Sequence, residues 1–80
     1  MQRFVKQTSY NIIGSNVKEY RIKRNMSQKE LSEKLETYGI LICRGSICRL
    51  ENKQRTVTDY ELKALADIFK ISINDLFRDI

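Results

Sequence analysis

Apolar residues recur at helical spacing early in the chain. Ile13, Val17 and Tyr20 lie at positions i, i+4 and i+7, which places them on one face of a helix. This spacing predicts a first helix over about residues 12–24. Asn25 follows, and asparagine tolerates the left-handed backbone conformation that often ends a helix.

A second helix is predicted to begin after Ser27. Glu30 lies three residues later, and these residue types at that spacing form a capping box, in which each side chain accepts the other's backbone N–H. Gly39 predicts the end of this helix. Its buried face carries Leu31, Leu35 and Tyr38.

A short apolar segment, residues 40–42, precedes a third predicted helix. We interpret the segment as an extended connection whose side chains fill the core, because no second strand is available to pair with it. The third helix is predicted over about residues 43–52, with Ile47 and Leu50 on its buried face. The opposite face is small, polar and basic, and it carries Arg44, Gly45, Cys48, Arg49 and Asn52.

Two further capping boxes predict the remaining helices. Thr58 with Glu61 opens a helix that extends to about Lys70, and Ser72 with Asp75 opens a short one. The pattern as a whole predicts an all-α fold, a compact bundle of five short helices without a sheet.

The residue content argues against several classes of function. The 80 residues include no histidine and only two cysteines, so the commonest general base is missing and the thiols alone are too few for a structural zinc site. We therefore expect neither an enzyme nor a cofactor-binding or metal-binding protein. Cys43 and Cys48 lie about 140° apart around one helix, and a disulfide between them would require that helix to unwind.

Charge is unevenly distributed along the chain. The net charge is +5, with +7 in residues 1–58 and −2 in residues 59–80. A basic N-terminal body suits a polyanionic partner such as double-stranded DNA, although an ordinary solvated surface has a similar balance. No apolar stretch has the length of a membrane span, and none of signal-peptide length follows the basic N-terminus, so we expect a cytoplasmic protein.

The second and third predicted helices together have the pattern of a helix-turn-helix. The chain resembles the phage-repressor family of helix-turn-helix DNA-binding domains (Xre/Cro/CI type) over about residues 12–77. The residues that carry the resemblance are Ile13-Gly14-x-x-Val17-x-x-Tyr20-Arg21, Met26-Ser27-Gln28-x-x-Leu31, Ser46-Ile47-Cys48-Arg49-Leu50-Glu51-Asn52 and the tail Leu62-x-x-Leu65-Ala66-x-x-Phe69 with Leu76-Phe77. It implies a lambda-repressor-like fold whose third helix inserts into the DNA major groove.

The resemblance also implies roles for individual residues. Arg44, Gly45 and Arg49 match positions that reach base edges, and Cys48 on the same outer face is included with them. Ser27 and Gln28, at the start of the second helix, are expected to bind phosphate. The same role is expected at the end of the third helix and in the loop that follows, for Asn52, Lys53, Gln54 and Arg55. Arg21 and Glu51 match an ion pair that bridges the first and third helices inside the protein.

Two features depart from the family pattern. Seven residues, 36–42, separate Leu35 from Cys43, which is several more than compact members use. This length bears on the angle at which the third helix enters the groove. Position 53 is Lys where the family often has Gly, so Asn52 or Lys53 must adopt the left-handed conformation.

The expected domain covers residues 12–80, after an N-terminal arm of residues 1–11. The arm has three interpretations: it wraps DNA, it frays, or it docks on the body or on a partner. Leu76, Phe77 and Ile80 are candidates for the contact of a homodimer. Alternatively, Leu76 and Phe77 close the core of the monomer.

The function expected from these patterns is that of a sequence-specific DNA-binding transcriptional regulator. Repression by occupying an operator is the simplest mechanism, because 80 residues leave no room for an effector domain. The alternative is an antitoxin-like protein-binding module of the same fold, with a protein partner that uses the C-terminal helix. The two differ in whether the outer face of the third helix is free or covered.

Overall fold

The computed structural model describes residues 9–79, which form four α-helices and one 3-10 helix. They are α1 (Gly14–Lys23), α2 (Gln28–Glu36), α3 (Arg44–Glu51), α4 (Asp59–Phe69) and a final 3-10 helix (Ile73–Phe77). These residues include no strand, so the all-α prediction is confirmed for them. The fifth predicted helix is a 3-10 helix of five residues rather than an α-helix. No helix in this part of the chain is long and apolar enough to cross a membrane.

All three predicted capping boxes are present. Ser27 Oγ accepts the amide of Glu30 at 3.0 Å, and Glu30 Oε1 accepts the amide of Ser27 at 2.8 Å. Thr58 with Glu61, and Ser72 with Asp75, make the same two reciprocal bonds. Each box satisfies two amides that have no partner within the helix, so local sequence alone fixes three helix starts.

The first helix begins later than predicted, at Gly14. Asn11 Oδ1 accepts the amides of Ile13 and Gly14 at 3.1 and 2.8 Å and thereby caps the helix. A β-carbon on Gly14 would collide with the carbonyl oxygens of Leu50 and Glu51. Only glycine therefore allows α1 to approach the end of α3 this closely.

A residue in the left-handed backbone conformation follows each of the four α-helices. Asn25 has φ 56° after α1, as predicted, and Gly39 has φ 78° after α2. After α3 it is Lys53, with φ 62°, rather than Asn52 that adopts this conformation. Lys70, with φ 60°, does the same after α4. A non-glycine residue in this conformation costs roughly 1 kcal/mol, which the packing of the helices on either side must offset.

The buried core takes side chains from all four α-helices and the 3-10 helix. The rings of Tyr20 on α1 and Phe69 on α4 stack with their centroids 5.9 Å apart. The core comprises Ile13, Val17, Tyr20, Leu31, Leu35, Ile47, Leu50, Ala64, Leu65, Ala66, Phe69 and Leu76. The predicted buried face of α3, Ile47 with Leu50, is therefore confirmed.

Two predictions about apolar residues near the end of α2 are wrong. Tyr38 lies beyond the last residue of α2 and is 48% exposed rather than buried. Leu41 is 84% exposed, whereas Ile40 and Ile42 pack against the core. Alternate side chains of an extended segment point in opposite directions, so residues 40–42 cannot all fill the core.

The C-terminal segment closes the core through one residue. Leu76 is fully buried, so it is not available for the predicted dimer contact, whereas Phe77 is 40% exposed. The side-chain amide of Asn16 donates to the carbonyls of Leu76 and Arg78 at 2.8 and 2.9 Å and ties this segment to α1. Ile80 and residues 1–8 of the predicted arm lie outside the described residues.

Candidate nucleic-acid interface

Two buried side chains orient α3. Ile47 and Leu50 are 1% and 2% exposed, and they turn the opposite side of the helix toward solvent. The four residues predicted to read bases, Arg44, Gly45, Cys48 and Arg49, are all exposed on that side. Asn52, the C-cap of α3, is also exposed. The predicted base-reading surface is therefore a continuous, open face of one helix.

Glu51 joins the first three helices. Its carboxylate accepts Arg21 Nε at 2.7 Å and Arg21 Nη2 at 3.2 Å, in a two-bond geometry typical of strong Arg–carboxylate pairs. Arg21 Nη1 also donates to the carbonyl of Met26 at 2.7 Å. The predicted ion pair is thus present, and the side chain of Glu51 is only 2% exposed. Breaking it would leave a charge without its partner in a poorly solvated place.

Both predicted phosphate-binding residues at the start of α2 have partners inside the protein. Gln28 Nε2 donates to Glu51 Oε1 at 3.1 Å, so its amide extends the network around Glu51. The Ser27 hydroxyl caps α2 by accepting the amide of Glu30. Each keeps hydrogen-bonding capacity, because an amide nitrogen carries two hydrogens and a hydroxyl can donate as well as accept.

Arg55, also predicted to bind phosphate, is held by an acidic residue. Its Nη1 and Nη2 donate to the two carboxylate oxygens of Glu61 at 3.2 and 2.9 Å. The two side chains are 24% and 10% exposed. The sequence indicated Glu61 as a capping residue and not as a partner for Arg55. The sequence signal for this pair is an acidic residue six positions after Arg55, and such a spacing is too common to be diagnostic.

Residues assigned to the arm bind the end of α3 and the loop that follows it. Asn11 Nδ2 donates to the carbonyls of Leu50 and Arg55 at 3.1 and 2.8 Å. The amide of Tyr10 donates to the carbonyl of Lys53 at 3.0 Å. Residues 10 and 11 therefore belong structurally with the body, and Asn11 is a positioning residue that the sequence did not reveal.

Three basic side chains remain on the outer surface of α3 and its following loop. The ion pairs that the structure describes among residues 9–79 involve neither Arg44, Arg49 nor Lys53. The only acidic residue in the segment 44–58 is Glu51, which is buried and paired with Arg21. The exposed charge of this segment is therefore positive, and a field of one sign attracts a polyanion.

The two cysteines lie at this surface as free thiols. Cys43 is the N-cap of α3, and its side chain makes no capping hydrogen bond. The nearby backbone amide of Ser46 nevertheless lowers the pKa of the Cys43 thiol, against the opposing effect of desolvation, and the amide of Gly45 adds a smaller lowering. No cluster of possible metal ligands occurs among residues 9–79.

Comparison with known proteins agrees with this geometry. A family model described as a helix-turn-helix domain matches residues 14–80. No curated protein shows a significant match to the chain. The matched residues include all four α-helices and every residue of α3 and of the loop that follows it.

Proposed function

This chain belongs to the helix-turn-helix domain family, and we propose that it is a sequence-specific DNA-binding transcriptional regulator of the Xre/Cro/CI type. One observation carries the proposal: α3 presents Arg44 and Arg49 on an open face whose buried side is fixed by Ile47 and Leu50. A surface built for packing inside the protein would not leave both arginines exposed and outside the described ion pairs.

In the proposed complex, α3 lies in the major groove. The groove is about 12 Å wide and admits one helix, and guanine presents two acceptors there that an arginine binds through two N–H groups. Arg44 and Arg49 read bases in this arrangement, and Gly45 and Cys48 lie against the base edges between them.

Phosphates are bound on either side of α3. Lys53 and Gln54 follow α3, and Asn52 caps it, so these three lie where the DNA backbone passes a helix seated in the groove. Ser27 and Gln28 present the start of α2, with its partial positive charge, to the other strand. We do not assign a phosphate contact to Arg55, since its guanidinium is paired with Glu61.

We infer a homodimer on DNA, because two half-sites about 34 Å apart require a two-fold assembly. Because Leu76 is buried, we assign the dimer contact to exposed apolar residues near Phe77. Tyr10, Ile12 and Phe77 are 62%, 51% and 40% exposed and line one shallow groove. The protein then acts in the cytoplasm, by occupying its operator and excluding other proteins, without catalysis.

A binding selection from random duplex DNA at physiological salt tests the proposal. Wild-type protein is expected to enrich one sequence with related half-sites, and Arg49→Ala to relax the preference at one or two base positions. Lys23→Ala is the matched control, because Lys23 is a basic residue on α1, with its Nζ 5.7 Å from the centre of the Tyr20 ring, and not on the exposed face of α3. Failure of the wild type to enrich any sequence would contradict the proposal and favour the protein-binding module.

A further inference from the structure

The side chain of Arg49 is bound to its own helix. Its Nη2 donates to Ser46 Oγ at 3.0 Å. Ser46 lies three residues earlier, so the bond draws the guanidinium toward the N-terminal end of α3. Long side chains on a helix already lean in that direction. In a helix-turn-helix this is the end whose residues contact base edges.

Gly45 leaves space for the guanidinium. A β-carbon built on Gly45 would lie 3.8 Å from Arg49 Nη1 and 3.9 Å from Cys43 Sγ, so the arginine extends across the surface above this glycine. A methyl group there would be in ordinary contact, whereas a longer side chain would compete with the guanidinium for the same surface. Gly45 and Ser46 therefore define one position for Arg49.

The bond to Ser46 leaves Arg49 able to bind a base. A guanidinium has five N–H donors, and Ser46 occupies one of them. The Nε hydrogen, both hydrogens of Nη1 and one of Nη2 remain, which suffices for the two acceptors of a guanine. Ser46 is half-buried while Arg49 is exposed, and a serine has far fewer rotamers to lose than an arginine.

We infer that Ser46 is a specificity-determining positioning residue: its hydroxyl holds the Arg49 guanidinium across Gly45, ready for one base pair. The inference rests on the proposed function, since it assumes that Arg49 reads a base. Holding a long side chain in place before binding removes part of the entropy lost in the complex, and this favours the sequence at which that one orientation is correct.

A matched pair of substitutions isolates the hydroxyl. Ser46→Thr keeps it and Ser46→Val replaces it with a methyl group of nearly the same shape. On the selected operator, and on a duplex changed at the base pair that Arg49 reads, Ser46→Thr should discriminate as the wild type does. Ser46→Val should lose about three- to tenfold of the discrimination. Affinity for unrelated DNA should be equal in both. In an Arg49→Ala background, the two substitutions should have the same effect.

Ser46→Ala provides a second test that does not depend on a β-branched residue in the helix. It should show the same loss of discrimination as Ser46→Val, with an unchanged thermal midpoint. Equal discrimination by Ser46→Thr, Ser46→Val and Ser46→Ala would overturn the role of Ser46 while the proposed function stands. A wild-type protein without any sequence preference would overturn both.

Discussion

The loop after α3 is bonded to α4 and to the start of the domain, whereas the connection before α3 is bonded to α2 and leaves Leu41 almost fully in solvent. In the loop, Arg55 pairs with Glu61 on α4, and Asn11 from the start of the domain binds the carbonyl of Arg55. In the connection, Leu41 is 84% exposed. The connection is bonded to the helix before it: Ser32 Oγ donates to the carbonyl of Ile42 at 2.6 Å, and the amide of Ile40 donates to the carbonyl of Leu35 at 3.1 Å.

This difference means that the two ends of α3 are supported unequally. The C-terminal end is anchored to α1 through Gly14, to Arg21 through Glu51, and to the loop through Asn11. The N-terminal end, which meets the bases in the proposed complex, follows a connection of the same length, residues 37–43 against 52–58, whose bonds go back to α2. Segments with few buried contacts open at a lower free-energy cost. Substitutions around the C-terminal end of α3 should therefore mainly change the free energy of unfolding.

The largest expected effect is at Glu51. Glu51→Ala removes the partner of Arg21 and an acceptor of Gln28, so the free energy of unfolding should fall by about 3 kcal/mol. Urea denaturation measures this. Glu33→Ala, which removes an exposed carboxylate on α2, is the control and should change stability by less than about 0.5 kcal/mol. Equal stabilities for Glu51→Ala and Glu33→Ala would show that the C-terminal end of α3 does not depend on this pair.

Asn11→Ala should have the next largest effect. It removes the cap of α1 and the bonds to Leu50 in α3 and to Arg55 in the loop, leaving partly buried amides and carbonyls without partners. We therefore expect a loss of about 2 kcal/mol. Asn11→Asp keeps an acceptor for the amides of Ile13 and Gly14 and should retain about half of that stability. If Asn11→Ala melts at the same temperature as the wild type, the residues before α1 do not stabilise the loop.

A third comparison separates Arg55 from Lys53. Arg55→Ala should cost about 1 kcal/mol of stability, discounted because the pair is partly solvated, and should leave the salt dependence of DNA binding unchanged. Lys53→Ala should instead reduce the slope of log K against log salt by about 1, as expected for one lost phosphate contact. Titrations at several salt concentrations measure both slopes. If Arg55→Ala reduces the slope as much as Lys53→Ala, the ion pair with Glu61 opens on DNA.

The smallest expected effect lies in the connection before α3. Leu41→Ser replaces a side chain in solvent and should change the free energy of unfolding by less than about 0.5 kcal/mol. Ile42→Ala, one residue later, removes a side chain that packs against the core and should cost about 1 kcal/mol. Thermal melts of the two variants test whether the side chains of this extended segment alternate. A large loss at Leu41 would contradict the exposure seen in the structure.

Much of the fold follows from interactions that are local in sequence. The three capping boxes each involve two residues three positions apart, and the buried faces of the helices repeat every three or four positions. Such patterns are readable because one turn of helix contains both partners. The pair of Arg21 with Glu51, 30 positions apart, was expected only from the resemblance to a family.

The tertiary structure decided which polar residues are free and which apolar residues are covered. The sequence determined that a basic helix face at 44–49 lies opposite Ile47 and Leu50, because the rotation of a helix settles that by itself. It did not determine that Glu61 neutralises Arg55, or that Asn11 binds carbonyls 39 and 44 positions away. It also did not separate Leu76, which is buried, from its exposed neighbour Phe77. These outcomes depend on how the helices pack against one another, and no pattern within a single helix contains that information.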